Sequence, residues 1–600
     1  MSTAFPTEDP SWDLETIFEG GVESEAFSEE VDALEDEIEA LNAAIEDRKA
    51  PREVGGDELG DWRELFDRFF ELEMRVSEAR SFGFGLASAH TDIPAAVRMP
   101  SRLDDALTGI RQARVGLIGL FRDISDDDFQ AFLDSERFGD MTLWLQELRR
   151  DATRSMKPEM EALAVELNRD GFHAWGRLYS EVSGRLEVGV ETDDGVKTYS
   201  VGQAKNLLDS SERKTRRAAH NGLQKAWGEV APICASALNA IRGTEQTFYK
   251  RRGGDCLTKA LNVNRVERQT VEAMFEASAE FWPVLVRYLQ AKAKWLGLER
   301  LDWYDLRAPV GDDDTEISYA DAQRFIVEQA ESFSPKIADF CRHALVNQWV
   351  EAEDRSGKRQ GGYCTSLPVS QEIRIFMTYG GTNTGVTTLA HELGHGYHAA
   401  VMKDLPHSER GVPMGLAETA STFLEAIVEQ AALRKASGET ELALLDDRLS
   451  RAVGFMMNIP ARYELEKKMH SHRSEQSLHE DLLREMTKEA FEEAYGEGVA
   501  SVDELFWASK LHFFLAGLPF YNFPYTFGYL FSRAVYTRAM QEGEAFVSKI
   551  DDLLLDTGRM TSEEVARKHL GADLGDPEFW IDAAGTLVDD VERYETLVSQ

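Results

Sequence analysis

Apolar residues recur every three or four positions along most of this 600-residue chain. That period puts one face of an α-helix into a core. From Phe27 to Ala50 the series Val31, Leu34, Ile38, Leu41 and Ile45 predicts a helix. Arg52 to Gly60, with Gly55-Gly56, breaks it. Helical runs are expected again over Trp62 to Ser88, Ala95 to Ile124, Phe129 to Met156 and Glu159 to Ser183. On either side of Asp193-Asp194-Gly195 the pattern reads as two strands, Leu186 to Val190 and Val196 to Val201, closed as a hairpin. A boundary is placed just after it. Residues 1–203 are then an N-terminal helical lobe ending in a β-hairpin, and residues 204–600 form a second domain. Within that domain helices are expected over Ser210 to Lys250, Val266 to Leu296, Ala320 to Glu351, Thr440 to Tyr495 and Val502 to Leu515. Leu301 to Asp314 reads as extended and turn-rich, and Gly357 to Tyr379 as a strand pair. Six hundred residues exceed one hydrophobic core, so more than one lobe is required.

One helical segment carries chemistry. Ile373 to Tyr379 is β-branched and apolar, like a strand. Gly380, Gly381, Asn383 and Gly385 break the chain, and Thr387 or Thr388 can cap a helix. That helix reads Leu389-Ala-His391-Glu392-Leu-Gly-His395. His391 and His395 share a face and can offer two imidazole nitrogens to one metal ion. Glu392 is one step round, within reach of a water on that metal, as a general base. Two buried imidazoles without partners would be unfavourable, so the apolar setting favours a metal site over two idle histidines. A catalytic zinc wants three protein ligands and an open position. A metzincin would need Gly at 398 and His at 401. The chain has His398 and Val401 there, and His398 is expected to be a packed histidine.

The third ligand is sought downstream. Glu418, Ser421 and Glu425 fall at i, i+3 and i+7 of a second helical run. Glu418 after a loop and a return helix completes a two-His, one-Glu zinc site, one ion per chain. Glu425, two turns on, is placed to orient a ligand histidine.

These motifs resemble the oligoendopeptidase F branch of the thimet oligopeptidase family. Phe376 to Thr382, Thr388 to His395, Glu418 to Ser421 and Glu425 carry the likeness. Trp12-Asp13-Leu14 with Phe18, Tyr304-Asp305-Leu306 with Pro309, and Gly357 to Tyr363 extend it over nearly the whole chain. The resemblance implies a mainly α, two-lobed helical zincin, with a small β-sheet beside the active-site helix and a deep substrate channel. It also implies that a histidine and a tyrosine of the aromatic stretch Lys510 to Ser532 hold the oxyanion and the substrate backbone. His512 and Tyr529, the latter after Gly528, match best, although the spacing from His512 to Gly528-Tyr529 exceeds the family pattern. Tyr521 and Tyr525 are further candidates. A strand edge at Gly361 to Tyr363, or at Phe376 to Gly381 including Gly380, is a place for a peptide backbone to add.

Composition narrows the partners. Asp and Glu number 107 against 66 Lys and Arg, a net charge of −41. That argues against nucleic acid and anionic membrane as partners. It fits either salt adaptation or an ordinary acidic enzyme. The first ten residues have no signal-peptide pattern, and no apolar run approaches a membrane span. Cys234, Cys256, Cys341 and Cys364 are scattered, as in a reduced cytoplasmic protein. The expected activity is zinc-dependent endopeptidase action on oligopeptides. The alternatives are a carboxypeptidase or dipeptidyl carboxypeptidase on the same scaffold, and a peptide-binding protein without catalysis.

Overall fold

The computed structural model describes residues 10–52, 55–311 and 316–600. The opening, Met1 to Asp9, and the last part of the Leu301 to Asp314 stretch lie outside them. The fold is mainly helical, with two small sheets. Its apolar residues gather in two cores, one from Leu14 to Ala152 and a larger one from Phe172 to Leu597.

The smaller core is built by α1 (Glu25–Glu46), α2 (Gly56–Ala89) and α3 (Asp104–Phe121). The Ser24 side chain accepts from the Phe27 N–H at 3.1 Å and starts α1. The predicted stripe, Phe27 through Ile45, is buried. The expected helices over Ala95 to Ile124 and Phe129 to Met156 are each interrupted. Pro100 opens a short 3-10 turn ahead of α3, and Phe138 leaves helical backbone angles.

The larger core surrounds the 40-residue α4 (Arg213–Arg252). The hairpin predicted around Asp194-Gly195 forms as β1 (Glu187–Thr192) and β2 (Gly195–Ser200), in register from Glu187↔Ser200 to Thr192↔Gly195. Val188 and Val190 are fully buried in the larger core. The change of core therefore falls between residues 152 and 172, ahead of the expected boundary after residue 203. Arg265 ties the two cores together. It bonds Glu147 at 2.9 Å and the carbonyls of Gly411 and Gly558 at 2.7 and 3.0 Å.

A three-stranded sheet of order β3-β5-β4 leads into the motif helix. It comprises β3 (Val350–Glu351), β4 (Tyr363–Leu367) and β5 (Glu372–Phe376). The run expected as one helix over Ala320 to Glu351 is split by Pro335 and ends in β3. From β5 the chain turns at Gly381, φ 75°, into α5 (Asn383–Met402). Thr382 caps α5, accepting from the Gly385 N–H at 3.1 Å. Thr387 and Thr388 lie inside it and bond carbonyls of the preceding turn.

Behind α5 runs α6 (Met414–Lys435), and against α6 runs α7 (Phe523–Glu542). The expected helix over Val502 to Leu515 is only Phe506–Ser509 followed by a 3-10 turn at Leu511–Phe514. Phe506, Trp507, Phe513 and Phe514 are all buried.

Helices α5 and α6 come closest at Gly394. A Cβ there would lie 2.5 Å from both the Ala420 oxygen and the Ser421 Cα. Replacing Gly by Ala inside a helix normally gains up to about 1 kcal/mol. Here the obstruction is backbone, and overpacking typically loses about 1–3 kcal/mol. Gly394→Ala is therefore expected to lower the thermal midpoint. A raised midpoint in calorimetry would show that the two helices are not in limiting contact.

Candidate active site

The strand–turn–helix passage from β5 to α5 presents His391 and His395 one turn apart, their rings 4.8 Å between centroids and nearly perpendicular. The tight crossing at Gly394 brings α6 alongside, with Glu418 opposite the pair. Glu418 Oε2 is 3.3 Å from His391 Nε2 and 3.6 Å from His395 Nε2. Donors around a tetrahedral ion at about 2 Å are roughly 3.3 Å apart, so the three side chains converge as a metal's ligands do. His391, His395 and Glu418 are the one cluster of this kind among the described residues.

Each of the three side chains is held from behind. His391 Nδ1 lies 2.9 Å from Glu425 Oε2, which leaves Nε2 with its lone pair toward the centre. Glu425 is in turn 3.6 Å from Arg451. The His395 ring bonds the Ala417 carbonyl. The Ser421 hydroxyl donates to Glu418 Oε2 at 3.0 Å. Helix α7 presses on the other side of Glu418, where a Cβ at Gly528 would lie 2.8 Å from the Glu418 Cβ. The glycine before Tyr529 is thus a packing residue for the third ligand. His398 is buried away from the cluster, its Nε2 2.9 Å from Thr557 Oγ1.

Glu392 is 7% exposed, and its Oε2 has no hydrogen-bond partner among the described residues. A Cβ at Gly362 would lie 3.3 Å from its other oxygen, so the turn before β4 closes over the carboxylate. Burial, with the like charge of Glu418 nearby, pushes its pKa up to about 7. Burial works against the charge of His391, yet hydrogen bonds to Glu418 and Glu425 carry its imidazole up to about 10. Burial likewise opposes ionisation of Glu418, yet His391 and His395 hold its carboxyl down at about 2. Burial takes His395 down to about 4. The donor set, the spacing and the unpaired Glu392 oxygen all fit a divalent metal.

The aromatic stretch divides in two. His512 lies on the 3-10 turn with its ring 5.2 Å from Tyr521. Tyr521 and Tyr525 bring their hydroxyls to 3.5 Å. Tyr525 is close enough to Glu418 to feel its charge. Tyr529 is placed otherwise. Its ring stacks on Phe455 at 4.8 Å, and its buried hydroxyl makes no hydrogen bond among the described residues. The charges around it are those of Arg533, Arg451, Glu429 and Asp590. The expected oxyanion donor is thus packed behind the ligands, because Gly528 seats α7 on Glu418 and the next residue follows it into the core. Tyr363, on the edge strand, stacks on Phe376 at 5.3 Å and meets Phe84 of the smaller core at 5.1 Å. Gly361 and Gly380 are exposed in the turns flanking the sheet, and Gly381 accepts from the Ile317 N–H at 2.8 Å. Arg451 lies in no sequence motif and meets the site only through folding, whereas Gly362 belongs to the Gly361 to Tyr363 strand edge and its approach to Glu392 is what folding adds.

A helical metallopeptidase is the class that this fold and donor set describe. The chain belongs to Peptidase family M3, whose model matches residues 206–586, and the model for Oligopeptidase F matches residues 121–187. It is 24% identical over 470 residues to Oligopeptidase PepF of Bacillus subtilis, covering 76% of this chain and 69% of that one. The chromosomal Oligoendopeptidase F of Lactococcus lactis subsp. cremoris is 26% identical over 332 residues, about half of each chain. Oligoendopeptidase-F from Enterococcus faecium has the same fold, with TM-score 0.70 and 17% identity over 96% of this chain and 99% of that one. A Chlamydophila abortus chain superposes with TM-score 0.82 and 18% identity over 98% of both. Among the described residues no helix is long and apolar enough to cross a membrane.

If Glu425 sets the tautomer of His391, Glu425→Gln should weaken metal binding about 10- to 100-fold. Titration against a chelator of known affinity measures this. An unchanged affinity would remove the orienting role.

Proposed function

We propose that the protein is a zinc-dependent endopeptidase of oligopeptides, with one zinc held by His391, His395 and Glu418. The observation that carries this reading is the convergence of those three donors beside a buried glutamate with one unpaired oxygen. A zinc ion there would polarise the scissile carbonyl and lower the pKa of a bound water toward about 7. Glu392 takes the proton of the attacking water and returns it to the leaving amine. Its burial, with Oε2 free of hydrogen bonds among the described residues, suits a carboxylate that must accept a proton. Arg451 and Glu425 hold His391 in one tautomer throughout.

The oxyanion donor best supported by geometry is Tyr525, with Tyr521 and His512 beside it, in place of Tyr529. Burial, with Arg462 and Lys510 nearby, lowers the His512 pKa. His512 is therefore neutral at physiological pH and donates from one nitrogen only. A peptide backbone would lie along the β4 edge near Gly361 and Tyr363 and past the turn at Gly380 and Gly381. The four cysteines are free, which suits a reducing cytoplasm. The acidic surface leaves nucleic acid and anionic membranes as poor partners.

Elemental analysis should find one zinc per chain, and a chelator should abolish peptide cleavage. Glu392→Gln should keep the metal while kcat falls at least about 10²-fold. Loss of metal in that variant would mean that Glu392 is a ligand. Tyr525→Phe should lower kcat by about 10²-fold with little change in Tm. Tyr529→Phe should leave kcat within about twofold. The reverse pattern would restore Tyr529 as the donor.

A further inference from the structure

A cavity of about 700 Å³ is lined by Thr382 and Thr384 at the start of α5 and by residues of the segment around Lys510. Lys205, Arg307, Arg462 and Lys510 line it, which is a concentration of cations in a chain of net charge −41. The carboxylates that share the cavity are already engaged. Asp209 pairs with Arg307. Asp446 binds Lys292 at 2.7 Å and the hydroxyls of Tyr288 and Tyr594 at 2.8 and 2.9 Å. Asp503 accepts from Gln224 at 2.6 Å and from the Leu505 N–H at 2.9 Å. Asp447 accepts from Thr384 at 3.1 Å.

Lys205, Arg462 and Lys510 remain without a carboxylate in ion-pair contact among the described residues. Arg462 is the most telling of them. Its Nε donates to Asn458 Oδ1 at 2.7 Å and its Nη1 to Asn522 Oδ1 at 3.1 Å, both neutral acceptors. Its guanidinium lies 5.1 Å from the Phe506 ring centroid, and the Lys510 ammonium lies 4.9 Å from the same one. Two cations share one ring, and the carboxylate that acts on Lys510, Asp503, is not in ion-pair contact with either of them. Burial, with Arg462 and Lys205 close by, lowers the Lys510 pKa to about 7. Burial lowers that of Arg462 to about 10. An anion from outside would relieve both.

The position relative to the reaction indicates which anion. Arg462 donates to Asn522, the neighbour of Tyr521, whose hydroxyl lies 3.5 Å from that of Tyr525, and Lys510 stands two residues before His512, so the recess adjoins the side chains proposed to hold the oxyanion. A peptide lying across the metal delivers its own terminus there, and the terminus of every peptide is a carboxylate. Arginine and lysine over an apolar floor are suited to binding it by charge-assisted hydrogen bonds.

We propose that Arg462 and Lys510 bind a carboxylate of the substrate, that of the peptide's C-terminus, and so fix how far from that end the chain is cut. This rests on the peptidase reading. The recess then prefers short peptides whose ends reach it and discriminates against chains that continue past it.

The test compares one oligopeptide as the free acid and as the C-terminal amide. Wild type should cleave the acid with kcat/KM at least about tenfold higher. Arg462→Met and Lys510→Met should each bring the acid-to-amide ratio toward one, with Tm recorded to confirm folding. If Arg462→Met does not fold, the half-buried Lys510 alone decides. Equal cleavage of acid and amide by wild type, or a ratio surviving in both variants, overturns the proposal. A third peptide, amidated but with glutamate next to its C-terminus, separates the two sources of carboxylate. Recovery of the free-acid rate by this peptide overturns the C-terminal assignment, and a rate as low as that of the plain amide supports it. If no peptide is cleaved, the peptidase reading fails by itself. The ratio of the two peptides' Kd values by calorimetry, on wild type and variants, then decides the recess by the same criterion.

Discussion

The distance between α5 and α6 at Gly394 governs the centre of this molecule. Two histidines on one helix can point the same way without help, but they cannot supply a third ligand. That ligand must come from a second helix close enough to share the ion. Hydrogen in place of a side chain at Gly394 allows the Ala420 carbonyl to fill the space where a Cβ would stand. Helix α7 then locks the arrangement from the other side through Gly528. Three helices in close contact thus fix the position of one carboxylate, Glu418. His391 and His395 converge on it, and Glu425 braces His391 from behind.

Much of this was legible before folding was considered. The helical period of the N-terminal lobe, the hairpin at Asp194-Gly195 and the strand before the histidines are local signals, and each forms where the pattern puts it. His391, Glu392, His395, Glu418 and Glu425 were visible because their spacing is itself helical. Breaks in helices were read less well. Pro100 and Pro335 each start a new helical piece inside an apolar pattern that continues unbroken across them. The residue that starts α5 was misplaced too, because any of three threonines could cap and only backbone geometry selects Thr382.

The aromatic stretch shows the harder limit. Val502 to Leu515 is crowded with apolar residues, Leu505, Phe506, Trp507, Leu511, Phe513 and Phe514 among them, and looked like a helix, yet it is mostly turn. Four polar rings in that region had the same composition but different neighbours. Tyr525 pairs with Tyr521 and feels the charge of Glu418, while Tyr529, one turn beyond Tyr525, follows Gly528 into packing against Phe455. No spacing rule distinguishes them, since the difference is made by Glu418 occupying the space beside Gly528.

The recess lined by Arg462 and Lys510 sits within a shell of opposite sign. At low ionic strength the outer acidic surface repels an anionic peptide over tens of ångströms, whereas the inner cations act only at contact. Salt screens the first interaction far more than the second, because the Debye length near 0.15 M is about 8 Å. The two fields thus separate entry from retention. If the recess binds as proposed, raising salt should speed the arrival of acidic peptides while leaving their residence there little changed, so the encounter step responds in the sense opposite to the usual steering of ligand by charge.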